Sequence, residues 1–344
     1  MTNKKAKPSL PKRKLGDPIG FPDALPLDGS AKYLLDERAK LAVRMAWATS
    51  RPLLVVGEAG CGKTQLAQAL ANAWCVPLFV RTVHARTEAQ DLFFHFDAVA
   101  RLSDAQLRSA LGDSGRGGDA VREAHCDPLN PSHYLRPESL WWAINAPSAW
   151  RLNDGRPDAY KVRAPHGMPS NWSGGASVVL IDEVDKGSDE LAESLLELLD
   201  QKRFSVPWTG QEILADPKSE PFLLLTSNGA RQLPAPFLRR CIVLAMQLPA
   251  DGLVDWLMQR GRLHFAAAQI KDDALRRAAE LIDEDRRSVS SRQRYKPGVA
   301  EYIYLCQAVA ELAAKAPARA QVALIESLAA SVTSHKGEAN RLQG

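Results

Sequence analysis

The residues best suited to chemistry are the run Gly57-Glu58-Ala59-Gly60-Cys61-Gly62-Lys63-Thr64, which fits the pattern GxxxxGK[ST]. Binding a triphosphate requires backbone N–H groups turned inward around the phosphate oxygens. Glycine permits the backbone angles this demands. A helix opening near Lys63 would add the positive end of its dipole. Lys63 would then reach the β- and γ-phosphates, and Thr64 would ligate Mg2+. Cys61 reads as a space-filling residue within the loop.

A second constellation is Val178-Val179-Leu180-Ile181-Asp182-Glu183. A continuous apolar run of this kind is a strand buried on both faces. It delivers two acids at its C-terminal end, where ligands of α/β sheets bind. Asp182 would hold Mg2+ through water, and Glu183 would orient and polarise an attacking water. The amide of Asn228, in Ser227-Asn228 at the end of another apolar run, could contact the γ-phosphate or that water. The same tripeptide with Gly229 is equally a turn signal. In Phe237-Leu238-Arg239-Arg240-Cys241 a planar guanidinium could stabilise charge spreading over the γ-phosphoryl group, within the chain or from a neighbouring copy.

These residues need a scaffold. Helical spacing of Leu34, Leu35, Leu41, Ala42, Met45 and Ala46 predicts a helix over 31–49. Short apolar strands are expected at Leu53–Val56, Leu78–Val83, Val178–Ile181, Phe222–Thr226 and Cys241–Ala245. A helix over Lys63–Trp74 separates the first two, with Pro77 tolerated at a strand entry. Residues 87–101 read as helical, and 102–170 as a long irregular insertion whose tryptophans Trp141, Trp142 and Trp150 pack a satellite core. Ser188 can cap a helix that turns Leu191, Leu195, Leu198 and Leu199 inward. Phe204–Val206 and Gln211–Leu214 flank a hairpin turn. Alternating strands and helices mean an α/β class. After about residue 247 the chain becomes alanine-rich and helical.

Composition sets the remaining bounds. Of 344 residues, 45% are apolar and 24% charged, as in ordinary globular proteins. No stretch approaches the roughly 20 apolar residues of a membrane span, and no secretory signal is visible. Five scattered cysteines without a CxxC pair suggest free thiols and a cytoplasmic setting. His125, Cys126 and His133 lie close together but fit no standard zinc spacing. The net charge of +4 hides an asymmetry: six basic residues and no acids fall in residues 1–14, leaving the rest at −2. That tail reads as a solvated terminus, or as an arm for an acidic partner.

The four constellations, in this order, resemble the AAA+ ATPases. The resemblance makes Gly57–Thr64 the Walker A loop, Val178–Glu183 Walker B, Asn228 sensor 1, and Arg240 or Arg239 an arginine finger. The Arg-Cys pair favours Arg240. ABC-type ATPases and small GTPases lack support, since neither LSGGQ nor Asn-Lys-x-Asp occurs. Arg51-Pro52-Leu53-Leu54, Leu140-Trp141-Trp142-Ala143, Phe204-Ser205-Val206-Pro207 and Leu233–Arg240 resemble the MoxR branch, over roughly residues 31–310. Ala59 replaces that family's usual proline.

The resemblance implies a P-loop αβα sandwich with a five-stranded parallel sheet, carrying a helix-2 insertion, followed by a small all-α lid. The expected division is a basic tail and linker over 1–30, a nucleotide-binding core over 31–246 with its insertion at about 102–170, and the lid and C-terminal helices over 247–344. A sensor 2 cation is expected at Lys296, in a Lys-Pro-Gly opening of a lid helix, with Arg292 or Arg294 as alternates. The implied cofactors are ATP and Mg2+. The implied partners are further copies in a ring, a hexamer, and a protein with a von Willebrand factor A domain. No aromatic-basic interleaving points to nucleic acid. A nucleic-acid-associated motor or an assembly switch of a bacterial conflict system are the alternatives.

Overall fold

The structure is a computed structural model that describes residues 22–110, 129–165, 168, 172–288 and 296–329, with backbone alone at 197–200. Its centre is a five-stranded sheet. We label its strands β1 (Leu53–Gly57), β2 (Leu78–Thr82), β3 (Ala176–Asp182), β4 (Glu220–Ser227) and β5 (Ile242–Met246). All neighbours pair in parallel, in the order β5-β1-β4-β3-β2. Parallel strands need both faces covered, and the sequence supplies this. On one face Leu53, Val55, Val178, Leu180 and Leu224 meet helices α1 (Glu37–Thr49) and α2 (Lys63–Trp74). On the other, Leu54, Val179, Ile181 and Leu225 meet helices Ser139–Arg151, Asp189–Gln201 and Ala235–Arg240. The expected sandwich and sheet are therefore present, and a helical C-terminal region follows: Leu253–His264, Asp272–Ser288, Val299–Leu312 and Ala318–Ala329 around their own core.

Four local expectations are corrected. First, part of the supposed linker is structured. Ala24–Pro26 pairs with Lys32–Leu34, and Leu25 is fully buried. Second, α1 begins at Glu37, capped by the Asp36 carboxylate on the Ala39 N–H at 2.7 Å, and buries Ala39, Val43, Ala46 and Trp47. Leu41 and Met45, two of the apolar residues read at helical spacing, are exposed. Lys40 is buried instead, because Asp23 and Glu37 bind its ammonium.

Third, the helix read at 87–101 lies at Ala98–Ala110. Before it, a short 3-10 turn and the strand Phe94–Phe96 bury Phe93 and Phe94 against the Phe204 ring of the hairpin. Fourth, 102–170 is not irregular throughout. Ser139–Arg151 is a helix that covers the sheet, and Trp141 and Trp142 are 0% exposed in the main core rather than in a satellite. Their indole N–H groups donate to Ser148 Oγ at 2.7 Å and to the Pro137 carbonyl at 3.1 Å, which makes such deep burial tolerable. The helix kinks at Asn145 ahead of Pro147. There the Asn145 amide caps the Ser148 N–H and donates to the Leu214 carbonyl. Trp142→Ala should therefore cost about 3–5 kcal/mol of unfolding free energy. Urea denaturation would check this, and a loss below about 1 kcal/mol would show that the indole is dispensable to the core.

Other expectations stand. Pro77 precedes β2, and its carbonyl accepts from Val178 N. Ser188 Oγ caps Leu191 N at 3.2 Å, and Leu191 and Leu195 are buried. Side chains of Leu198 and Leu199 lie outside the description. The hairpin forms between Arg203–Val206 and Gln211–Leu214.

Candidate functional site

Parallel strands point their C-terminal ends to one rim of the sheet, and the chemistry-bearing residues gather there. The loop between β1 and α2 opens at Gly57, which pairs with Met246 of β5. A Cβ at Gly57 would lie 2.4 Å from the Met246 carbonyl oxygen, so only glycine fits this approach. Gly60 and Gly62 adopt φ of +76° and +95°, the left-handed region that turns successive N–H groups inward. Lys63 is buried at the first position of α2. Its ammonium donates to the carbonyls of Gly57 and Glu58 at 2.8 and 2.7 Å, which places a positive charge inside the loop. Cys61 is buried beside it, and burial pushes its thiol pKa up, away from a reactive thiolate.

The end of β3 comes to meet this loop. Thr64 Oγ1 donates to Asp182 Oδ2 at 3.1 Å, and Thr226 Oγ1 of β4 donates to Asp182 Oδ1. Thr226 Oγ1 also accepts from the Glu183 N–H at 2.8 Å. Glu183 sits at φ +59°, in the left-handed region that non-glycine residues adopt infrequently. Its Oε1 accepts from Asn228 Nδ2 at 2.9 Å, and its Oε2 from Lys186 Nζ at 2.6 Å. Asp185 is 3% exposed. Its carboxylate accepts from the N–H groups of Asn228 and Ala230 at 3.3 and 2.8 Å, which locks the turn after β3 to the turn after β4. Arg231 reinforces that lock on the Gly187 carbonyl and on Asp189.

A cleft of about 300 Å3 joins these parts. Its walls include Ala59, Gly60, Gly62, Lys63, Thr64, Asp182, Glu183 and Asn228 from the sheet side. Val299, Ala300, Ile303 and Tyr304 close it from the first turns of the lid helix Val299–Leu312. Ala300 N donates to the Gly60 carbonyl at 3.1 Å, and Arg286 NH2 reaches Glu58 Oε2 at 2.5 Å. The helical region thus holds the phosphate loop directly. The oxygen donors suit a hard divalent cation: Thr64 and Asp182 sit side by side at the loop's end, and among the described residues neither sulfur nor imidazole lines the cleft.

Other sequence-derived candidates fall elsewhere. Lys296 is exposed and is not part of the cleft wall. Arg292 and Arg294 lie outside the described residues. Among the described residues, the cation of the helical region that touches the loop is Arg286, for which the sequence offered no motif. Arg239 and Arg240 end the helix Ala235–Arg240 in exposed positions, away from this chain's own cleft. His133 is buried and stacks on Tyr160, while His125 and Cys126 lie outside the description. Among the described residues no cluster could hold a metal through His, Cys, Asp and Glu alone, and no helix is long and apolar enough to cross a membrane.

The family model of the AAA domain, dynein-related subfamily, matches residues 52–260, well over half of the 344 residues. This chain belongs to that AAA family. The match begins just before β1 and ends in the first lid helix, so it spans the loop, both acids, Asn228 and the Arg239-Arg240 pair. No curated protein matches this AAA chain significantly. Among solved structures, it is similar to RuvB of Thermotoga maritima. Two RuvB variants align with TM-scores of 0.43, at 14% and 16% identity. They cover 86% of this chain and 69% and 68% of theirs. A third, described as the Holliday junction branch migration motor, aligns at TM-score 0.40 and 17% identity, over 84% of this chain and 66% of its own.

Proposed function

We propose that this AAA protein is an ATPase of the MoxR type, working as a ring, a hexamer, whose ATP hydrolysis remodels a protein partner. The observation that carries the ATPase reading is the single cleft lined by the glycine loop, Lys63, Thr64, Asp182, Glu183, Asn228 and the lid helix. In this reading the loop N–H groups and Lys63 bind the triphosphate. Thr64 and Asp182 hold Mg2+, whose charge offsets that of the β- and γ-phosphates. Glu183 accepts a proton from water as the water oxygen bonds to the γ-phosphorus and the bond to the β–γ bridging oxygen breaks, releasing ADP and phosphate. Asn228, hydrogen-bonded to Glu183, orients that carboxylate. Arg240, or Arg239 beside it, completes the site of the neighbouring subunit.

The MoxR assignment rests on the residues quoted above, among them the Leu140-Trp141-Trp142-Ala143 helix and the Phe204–Pro207 hairpin strand. The same resemblance supports a partner with a von Willebrand factor A domain, and the scattered cysteines without a CxxC pair support a cytoplasmic setting. A site shared between copies makes turnover depend on assembly. Phosphate release measured with Mg2+ and saturating ATP should therefore rise more than proportionally with protein concentration. Strict proportionality down to nanomolar protein would count against a shared site.

A further inference from the structure

We propose that Lys186 is a positioning residue that restrains Glu183 and slows hydrolysis. This inference rests on Glu183 being the base. Both carboxylate oxygens of Glu183 are engaged, but by groups on different sides. Asn228 binds Oε1 and lines the cleft with it. Lys186 binds Oε2 at 2.6 Å and is not part of the cleft wall, so it draws that oxygen away from the place where an attacking water must stand.

The restraint is built into the chain path. Val184–Lys186 forms one turn of 3-10 helix, in which residues three apart eclipse, so Lys186 lies over Glu183. Three contacts keep the turn from opening. Glu183 N is fixed by Thr226, and Asp185 is pinned by two backbone N–H groups. Gly187 packs so tightly that a Cβ there would come within 3.0 Å of Val83 Cγ1. The pair is itself partly exposed, with side-chain exposures of 45% for Lys186 and 24% for Glu183. Ion pairs exposed to this degree are weak, so the restraint slows the base without blocking it.

The test uses the full chain at saturating ATP and Mg2+, with kcat from phosphate release and affinity from a fluorescent ATP analogue. Lys186→Met should raise kcat about two- to fivefold, the range that a part-exposed ion pair supports. Affinity for the analogue should stay within about twofold, since Lys186 does not line the cleft. Lys186→Arg keeps the cation and should match the unsubstituted protein. A merely structural lysine would give a loss in the Met variant, not a gain. A kcat for Lys186→Met at or below that of the parent, with Glu183→Gln inactive, overturns the restraint alone. Full turnover by Glu183→Gln instead removes the base reading, and the restraint with it.

Discussion

Glu183→Gln should bind ATP as tightly as the parent while its turnover falls about a thousandfold, the scale of removing a positioned general base. The two side chains have the same shape, and glutamine can still accept from Asn228 Nδ2 through its carbonyl oxygen. What it cannot do is take a proton from water. The groups assigned to binding are untouched: Lys63 on the Gly57 and Glu58 carbonyls, and Thr64 on Asp182. Binding and hydrolysis must therefore separate. An ATP analogue titration and a phosphate-release assay on the same preparation would show it. Turnover within tenfold of the parent would exclude Glu183 as the base, and loss of binding would mean that it serves the loop. The trapped, ATP-loaded variant is also the best bait for a partner with a von Willebrand factor A domain.

Arg240→Ala should lower turnover about a thousandfold or more, as loss of an arginine aimed at the γ-phosphate does, with nucleotide binding by each subunit retained. Arg239→Ala should have the smaller effect. The decisive form of the experiment is a mixture. Lys63→Ala protein lacks a working loop but keeps Arg240. Arg240→Ala protein lacks the finger but keeps the loop. If each site borrows its arginine, mixing the two inactive proteins restores turnover. In a random equimolar ring about a quarter of the interfaces pair an intact loop with an intact arginine. A mixture as inactive as its components would place the arginine's action elsewhere. The exposed position of both arginines, away from their own cleft, is what makes borrowing the natural expectation.

The parts of the site that could be read in the sequence are those whose chemistry is local. Gly57–Thr64 announces itself because a phosphate loop needs its glycines, lysine and hydroxyl within one turn of chain. Asp182 and Glu183 are legible because an apolar strand delivers them. Thr226 and Asp185 were passed over because their importance lies in partners more than forty residues away. Arg286 meets Glu58 across 228 positions, and nothing near Arg286 signals that meeting. The fold follows the same logic. Continuous apolar strands were identifiable, but α1 carries two stripes with helical spacing. The apolar residues read at helical spacing mixed the two, since Ala46 is buried while Leu41 and Met45 are exposed. The face that packs on the sheet carries Ala39, Val43, Ala46 and Trp47. Trp141 and Trp142 were misplaced because prolines and glycines around them suggested irregular chain, whereas Pro147 only kinks a helix that continues.

The lid holds the phosphate loop at two separate points, the Gly60 carbonyl and the Glu58 carboxylate. The helix Leu253–His264 also packs on the strand Lys32–Leu34, so the helical region is fastened both to the loop and to the N-terminal hairpin beside it. A shift of the loop on gaining or losing a phosphate would therefore reach the first turn of Val299–Leu312 through the Gly60–Ala300 contact. The Gly60 contact is made by backbone, from the Ala300 N–H to the Gly60 carbonyl. That link between loop and helix is carried by main chain on both sides.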